Sequence, residues 1–259
     1  MLSLQNLGIR FGGLQAAEEV DIELSNNEIV GLIGPNGAGK TTIFNMLTGV
    51  YRPSQGKIHL MGQPLDGRQT YQITNSGMAR TFQNIRLFKS MTVLENVEVG
   101  FQGRMRYSWA DAFLRNSRYD REERGCEARA CDLLRVFSME HLMDQKANSL
   151  PYGQQRKLEI CRALASSPKV LLLDEPAAGM NPIETQELMQ TIQTIRDRFG
   201  ITILLIEHDM KLVMGICERI YVLNYGRVIA SGSPEEIRSN PDVIAAYLGV
   251  AEEGESATC

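Results

Sequence analysis

The run Ile29–Ile33, the turn Gly34-Pro35-Asn36-Gly37-Ala38-Gly39-Lys40-Thr41, and the apolar residues Ile43, Phe44, Met46 and Leu47 at helical spacing constrain this chain more than any other feature. A short, wholly apolar run feeding into glycines and then into a helical pattern is a buried strand, a loop and a helix. The loop matches G-x-x-x-x-G-K-[ST] in the context that motif requires. Its glycines let main-chain N–H groups turn inward around phosphates, and the helix N-terminus adds partial positive charge. Lys40 is expected to reach the β- and γ-phosphates and the Thr41 hydroxyl to ligate Mg²⁺. Asn36, Gly37, Ala38, Gly39 and Thr42 complete the expected nucleotide contacts, and Gly49 marks the helix end.

A second apolar run, Val170–Leu173, ends in Asp174-Glu175. Ligands of open parallel sheets bind beyond the carboxyl ends of the strands, so both acids are expected to face the nucleotide. Asp174 suits Mg²⁺, a hard cation that takes oxygen ligands. Glu175 is the candidate for polarising the attacking water. A third run, Ile201–Ile206, ends in Glu207-His208. From the residues alone His208 is either structural or a group that reaches the γ-phosphate.

Strands alternating with helices, each strand apolar on both faces, imply a mainly parallel sheet covered on both sides. Ahead of it, Leu2, Leu4 and Leu7, then Val20, Ile22 and Leu24, recur near a period of two around Gly12 and Gly13, which reads as short strands. From about Gln83 to Asn148 strand-like runs vanish; Cys126, Ala130, Leu133, Leu134 and Phe137 share one helical face. The expected organisation is an α/β core of the P-loop NTPase (RecA-like) type over 1–83 and 166–249. It carries an N-terminal antiparallel β subdomain and an inserted α-helical subdomain over about 84–165. The acidic stretch 250–259 reads as a disordered tail.

Composition narrows the function classes. The net charge is -4 with three histidines spread along the chain, so neither a basic nucleic-acid face nor metal-ligand spacing is offered. The cluster Arg115, Arg118, Arg121 and Arg124 is interleaved with Asp120, Glu122 and Glu123 and reads as a solvated face. The five cysteines form no C-x-x-C pair, which points to reduced thiols in a cytosolic compartment. No apolar run approaches the roughly 20 residues of a membrane helix. Work at a membrane would need a partner to hold the chain there.

Beyond the phosphate loop and acid pair, Gln83 follows a strand-like stretch, and Leu150-Pro151-Tyr152-Gly153-Gln154-Gln155 precedes the acid pair. With Ala178-Gly179-Met180-Asn181 and His208, these residues resemble the ATP-binding cassette (ABC) family over nearly the whole chain. The resemblance makes Gln83 the Q-loop glutamine, with a catalytic and a Mg²⁺-binding role. It makes 150–155 a variant of the LSGGQ signature, 178–181 the D-loop and His208 the switch histidine. Phe11 falls where an aromatic ring stacks on adenine. Within the family, Gly34–Gly49, Arg80–Val97, Leu150–Ile160 and Ala245–Gly249 are similar to ATPase subunits of branched-chain amino-acid importers.

That resemblance implies two cassettes sandwiching two ATP molecules, each held by one subunit's phosphate loop and the other's signature residues Tyr152, Gly153 and Gln154. Closure would pull on two membrane-spanning permease subunits through the segment Asn84–Val97, with a periplasmic or extracellular substrate-binding protein acting indirectly. Hydrolysis at Glu175, assisted by His208, would reopen the dimer. The chain would sit peripherally on the cytoplasmic face of the inner membrane, with no nucleic-acid partner. Two departures stand out. Pro151 replaces the signature serine and brings neither its hydroxyl nor a backbone N–H, and Asn181 replaces the D-loop aspartate. Both serve the partner's nucleotide, so a heterodimer with unequal sites is expected. Rival readings are a cassette for another substrate, a soluble non-transport cassette ATPase, a GTPase, a small-molecule kinase and a non-hydrolysing regulatory module. The GTPase reading lacks an [NT]-K-x-D motif, and a kinase needs no signature at 150–155.

Overall fold

The computed structural model describes residues 1–105, 109–114 and 116–247. The expected tail 250–259, Leu248 and Gly249 of the Ala245–Gly249 stretch, and Arg115 of the charged cluster lie outside the described residues. The chain forms two compact units, Met1–Met78 with Lys169–Cys259, and Ala79–Pro168.

The first unit holds two sheets. One has the order β2-β1-β4-β5, with β1 (Leu2–Phe11), β2 (Leu14–Leu24), β4 (Gln55–Leu60) and β5 (Gln63–Pro64), and its mapped pairings are antiparallel. Residues 1–30 read as short strands, but β1 and β2 are 10 and 11 residues long. The alternation slips because the ladder is bulged. The β1/β2 register shifts between Leu4 and Leu7, where Asn6 has φ 48°, and Glu19 has φ 49° on β2. An extra residue in a bulge moves the buried positions from 2 and 4 to 7, which imitates a strand break in the sequence. Gly12 and Gly13 close the hairpin between Phe11 and Leu14.

The other sheet runs β10-β9-β3-β8-β7, formed by β3 (Ile29–Ile33), β7 (Val170–Asp174), β8 (Thr202–Ile206), β9 (Arg219–Asn224) and β10 (Arg227–Gly232). β3, β8, β7 and β9 are parallel; β10 turns back antiparallel through Tyr225 and Gly226, both at positive φ. Every residue of β3, β7 and β8 is buried. This suits parallel strands covered on both faces and explains why they read as unbroken apolar runs. Register aligns Leu32 with Ile206 and Ile206 with Asp174, so the chain leaves all three strands at the same edge.

Helices α1 (Lys40–Leu47), α2 (Thr70–Asn75), α7 (Pro182–Phe199), α8 (Met210–Ile216) and α9 (Pro234–Ser239), and a helix over 241–247, complete this unit. α1 buries Ile43, Phe44, Met46 and Leu47 in the core that also holds Leu32, Leu172 and Leu204. At about 1.5–3 kcal/mol per buried side chain, those residues anchor the loop that precedes them. Asn181 caps α7 by accepting from the Ile183 and Glu184 N–H groups.

The second unit is helical: α3 (Val93–Phe101), α4 (Trp109–Leu114), α5 (Ser117–Val136) and α6 (Tyr152–Ala165). α5 buries Cys126, Ala130, Leu133 and Leu134, with Phe137 buried at its C-cap, the face read from the sequence. Strand β6 (Met78–Arg80) straddles the division between the units. Among the described residues no helix is long and apolar enough to cross a membrane.

Candidate functional site

The phosphate loop owes its shape to two glycines that tolerate no side chain. A Cβ on Gly34 would lie 2.0 Å from the Leu223 carbonyl oxygen, and one on Gly39, at φ 104°, 2.6 Å from the Ala16 carbonyl oxygen. Gly39 is also the N-cap of α1 and offers it no side-chain acceptor. The first-turn N–H groups of that helix therefore point at whatever enters the loop.

Lys40 opens α1 and is 6% exposed. Its Nζ donates to the carbonyl oxygens of Gly34 at 2.7 Å and Pro35 at 2.8 Å. Burial lowers its pKa, while the charges of Glu175 and Asp174 act to raise it. Strand register sets Asp174 beside Ile206 at the sheet edge where the chain also leaves β3 for the phosphate loop. Asp174 is buried. Asn36 to Thr42, Glu175 and His208 line one cavity of about 190 Å³.

Glu175 has φ 47°, the left-handed region. A non-glycine residue held there costs about 1–3 kcal/mol and persists only where its surroundings dictate it. Here the Glu175 N–H donates to the Ile206 carbonyl at 2.9 Å. On the neighbouring strand His208 follows, and its Nε2 lies 2.9 Å from Glu175 Oε1. An ionised carboxylate only accepts, so the ring proton belongs on Nε2. The reading left open for His208, structural or functional, is thus narrowed by contact with the candidate base.

Two residues of the first unit suit Mg²⁺: the Thr41 hydroxyl and the buried Asp174 carboxylate are hard oxygen donors, the kind that ion selects. No cluster of three or more His, Cys, Asp or Glu able to hold a metal occurs among the described residues.

Phe11 ends β1, is 44% exposed and meets Tyr51 edge-on, with ring centroids 5.1 Å apart at 72°. Tyr51 did not stand out in the sequence; its N–H donates to Asn45 O on α1, so the aromatic pair is tied to the helix that follows the phosphate loop.

Gln83, Tyr152, Gly153 and Gln154 belong to the second unit. Pro151 is the N-cap of α6; Pro151 and Tyr152 are exposed, whereas Gly153 is buried. Sequence reasoning passed over a buried ion pair in this unit. Arg156, fully buried, donates to the carbonyl oxygens of Phe82 at 2.6 Å and Gln83 at 2.7 Å, and to Glu159 at 2.8 Å. Glu159 in turn accepts from the Arg86 N–H at 3.0 Å. Asn96, also buried, accepts from the Phe88 N–H and donates to the Phe88 carbonyl. The backbone from Phe82 to Phe88 is therefore pinned by α6 and α3. The available signal was a charged pair, three residues apart, within an otherwise apolar helical face.

Residues 17–178 match the family model described as ABC transporter, and residues 227–253 match one described as branched-chain amino acid ATP-binding cassette transporter. The chain is 50% identical, over 97% of its length and 98% of the relative's, to the high-affinity branched-chain amino acid transport ATP-binding protein LivG of Escherichia coli (strain K12). It is 45% identical, with the same coverage, to the corresponding protein BraF of Pseudomonas aeruginosa. Its backbone is similar to the ADP conformation of an ATP-binding cassette of an ABC transporter, with a TM-score of 0.83, 31% identity and coverage of 96% and 98% of the two chains. With the phosphate loop, Glu175 and His208 lining one cavity, these likenesses place the chain in the ABC transporter family.

Proposed function

We propose that this chain is the ATP-hydrolysing subunit of an importer for branched-chain amino acids, peripheral to the cytoplasmic face of the membrane. Two membrane-spanning permeases hold it there, and it pairs with a sister cassette. The observation that carries the reading is the convergence of Lys40, Glu175 and His208 on the cavity formed by 36–42. Similarity to transport ATP-binding proteins over nearly the whole chain supports the substrate class.

In this reading Lys40 exchanges its two carbonyl acceptors for β- and γ-phosphate oxygens, and the α1 N–H groups hold the remaining charge. Phe11, backed by Tyr51, stacks on adenine. Thr41 and Asp174 hold Mg²⁺, which when bound neutralises phosphate charge. Glu175 accepts a hydrogen bond from the attacking water and orients it, and His208 donates to the γ-phosphate or to Glu175. The segment Asn84–Val97 meets the permeases. Its anchoring supports that role: Glu159 and Asn96 hold its backbone at Arg86 and Phe88, and Arg156 holds the preceding Phe82 and Gln83, while Asn84, Arg86 and Phe88 stay exposed.

The sister cassette is a different chain, because Pro151 and Asn181 weaken the face offered to the partner's ATP. Asn181 retains the helix-capping role of an aspartate, since the two are comparable N-caps; what it lacks is the charge. The site built on Lys40 and Glu175 is the competent one. Uptake of leucine, isoleucine or valine into vesicles carrying the assembled transporter and internal MgATP tests the proposal. ATP-driven uptake of another solute class but none of these would overturn the substrate assignment. The asymmetry is tested by comparing single-turnover hydrolysis after Glu175→Gln with the matching change in the sister cassette: only the former should abolish hydrolysis.

A further inference from the structure

Glu207 stands immediately before His208, at the end of β8, and is 3% exposed. Its two carboxylate oxygens serve two loops. Oε1 accepts from the Ala177 N–H at 2.6 Å, two residues beyond Glu175. Oε2 accepts from the N–H of His208 at 2.9 Å and of Asp209 at 3.3 Å. One buried anion thus holds the main chain on both sides of the Glu175–His208 contact. Its own side chain is not among those lining the cavity.

We propose that Glu207 is a positioning residue for hydrolysis, a carboxylate fork that fixes the loop carrying Glu175 and the loop carrying His208 at one mutual distance. The inference rests on the roles given above to Glu175 and His208. A carboxylate suits this task because it presents acceptors only. A serine, threonine or glutamine would offer one oxygen where two loops each need one, and the glutamine amide would set a donor against a backbone N–H. Burial raises the Glu207 pKa, the nearby Glu175 charge adds to the rise, and the three backbone N–H groups oppose it. An ionised acid in such a place is costly unless fully hydrogen-bonded. Glu175 at positive φ, anchored to Ile206 O, needs such an outside constraint to keep its strained backbone.

The test compares Glu207→Gln with wild type in the assembled transporter, measuring MgATP affinity, single-turnover hydrolysis and thermal midpoint, alongside His208→Ala and the double variant. Glu207→Gln is expected to bind MgATP within about twofold of wild type while hydrolysis slows about 10- to 100-fold, the range of a misaligned catalytic group. The double variant should be scarcely slower than His208→Ala alone, since Glu207 acts through the pair. Wild-type hydrolysis in Glu207→Gln overturns the proposal, as do losses multiplying fully in the double variant or affinity, midpoint and rate falling together. If instead Glu175→Gln and His208→Ala are themselves fully active, the reading of the site fails rather than this inference.

Discussion

His208 Nε2 and Glu175 Oε1 lie 2.9 Å apart, although the two residues are 33 positions apart in sequence and end different strands. The parallel register that sets Asp174 beside Ile206 brings them together, so the contact is a product of sheet topology. His208→Ala removes the Nε2 donor and leaves the loop backbone intact. Single-turnover hydrolysis should fall about 10²-fold or more, the lower bound for losing a positioned proton donor. MgATP affinity, read by fluorescent nucleotide titration, should change little.

Lys40→Ala should act on binding instead. A hydrogen bond to a charged group contributes about 1.5–3 kcal/mol, and two phosphate contacts are at stake. The dissociation constant for MgATP is expected to rise at least about tenfold. Because Lys40 also donates to Gly34 and Pro35, hydrogen exchange of the phosphate loop should quicken in the same variant.

Arg156→Ala tests the second unit's anchor. It strands Glu159, which is 2% exposed, without its cation and leaves the carbonyls of Phe82 and Gln83 without that donor. Breaking one side of a buried pair costs about 3–5 kcal/mol, to be read from urea unfolding. Replacing both Arg156 and Glu159 by apolar residues should recover much of that loss.

Glu207 gives stability a pH signature. Its pKa is raised above the ordinary 4.5, so over the window just above that value the folded state binds more protons than the unfolded state. Stability contributed by this group then falls as pH rises through the window. Urea midpoints measured across it should show that slope in wild type and lose it in Glu207→Gln.

The site was legible where function forces unusual chemistry onto a strand end. Gly34 with the loop through Gly39 and Lys40, the acids 174 and 175, and His208 each follow closely on an apolar run, and the parallel register brings the ends of those runs to one edge. Glu207 broke such a run too, but its task of holding main-chain N–H groups leaves no pattern in sequence. The buried Arg156–Glu159 pair escaped for a related reason: its acceptors, Phe82 and Gln83, lie more than 70 residues away and are backbone atoms. The length of β1 and β2 was obscured by bulges at Asn6 and Glu19, which shift the phase of an alternating pattern without ending the strand.

The central claim is that one carboxylate primes water against a phosphate held by the loop around Lys40. Single-turnover MgATP hydrolysis by Glu175→Gln in the assembled transporter tests it most directly. The account predicts affinity close to wild type and a rate reduced about 10²- to 10⁴-fold. Undiminished hydrolysis in that variant, or failure of the wild-type chain to bind MgATP, would contradict it.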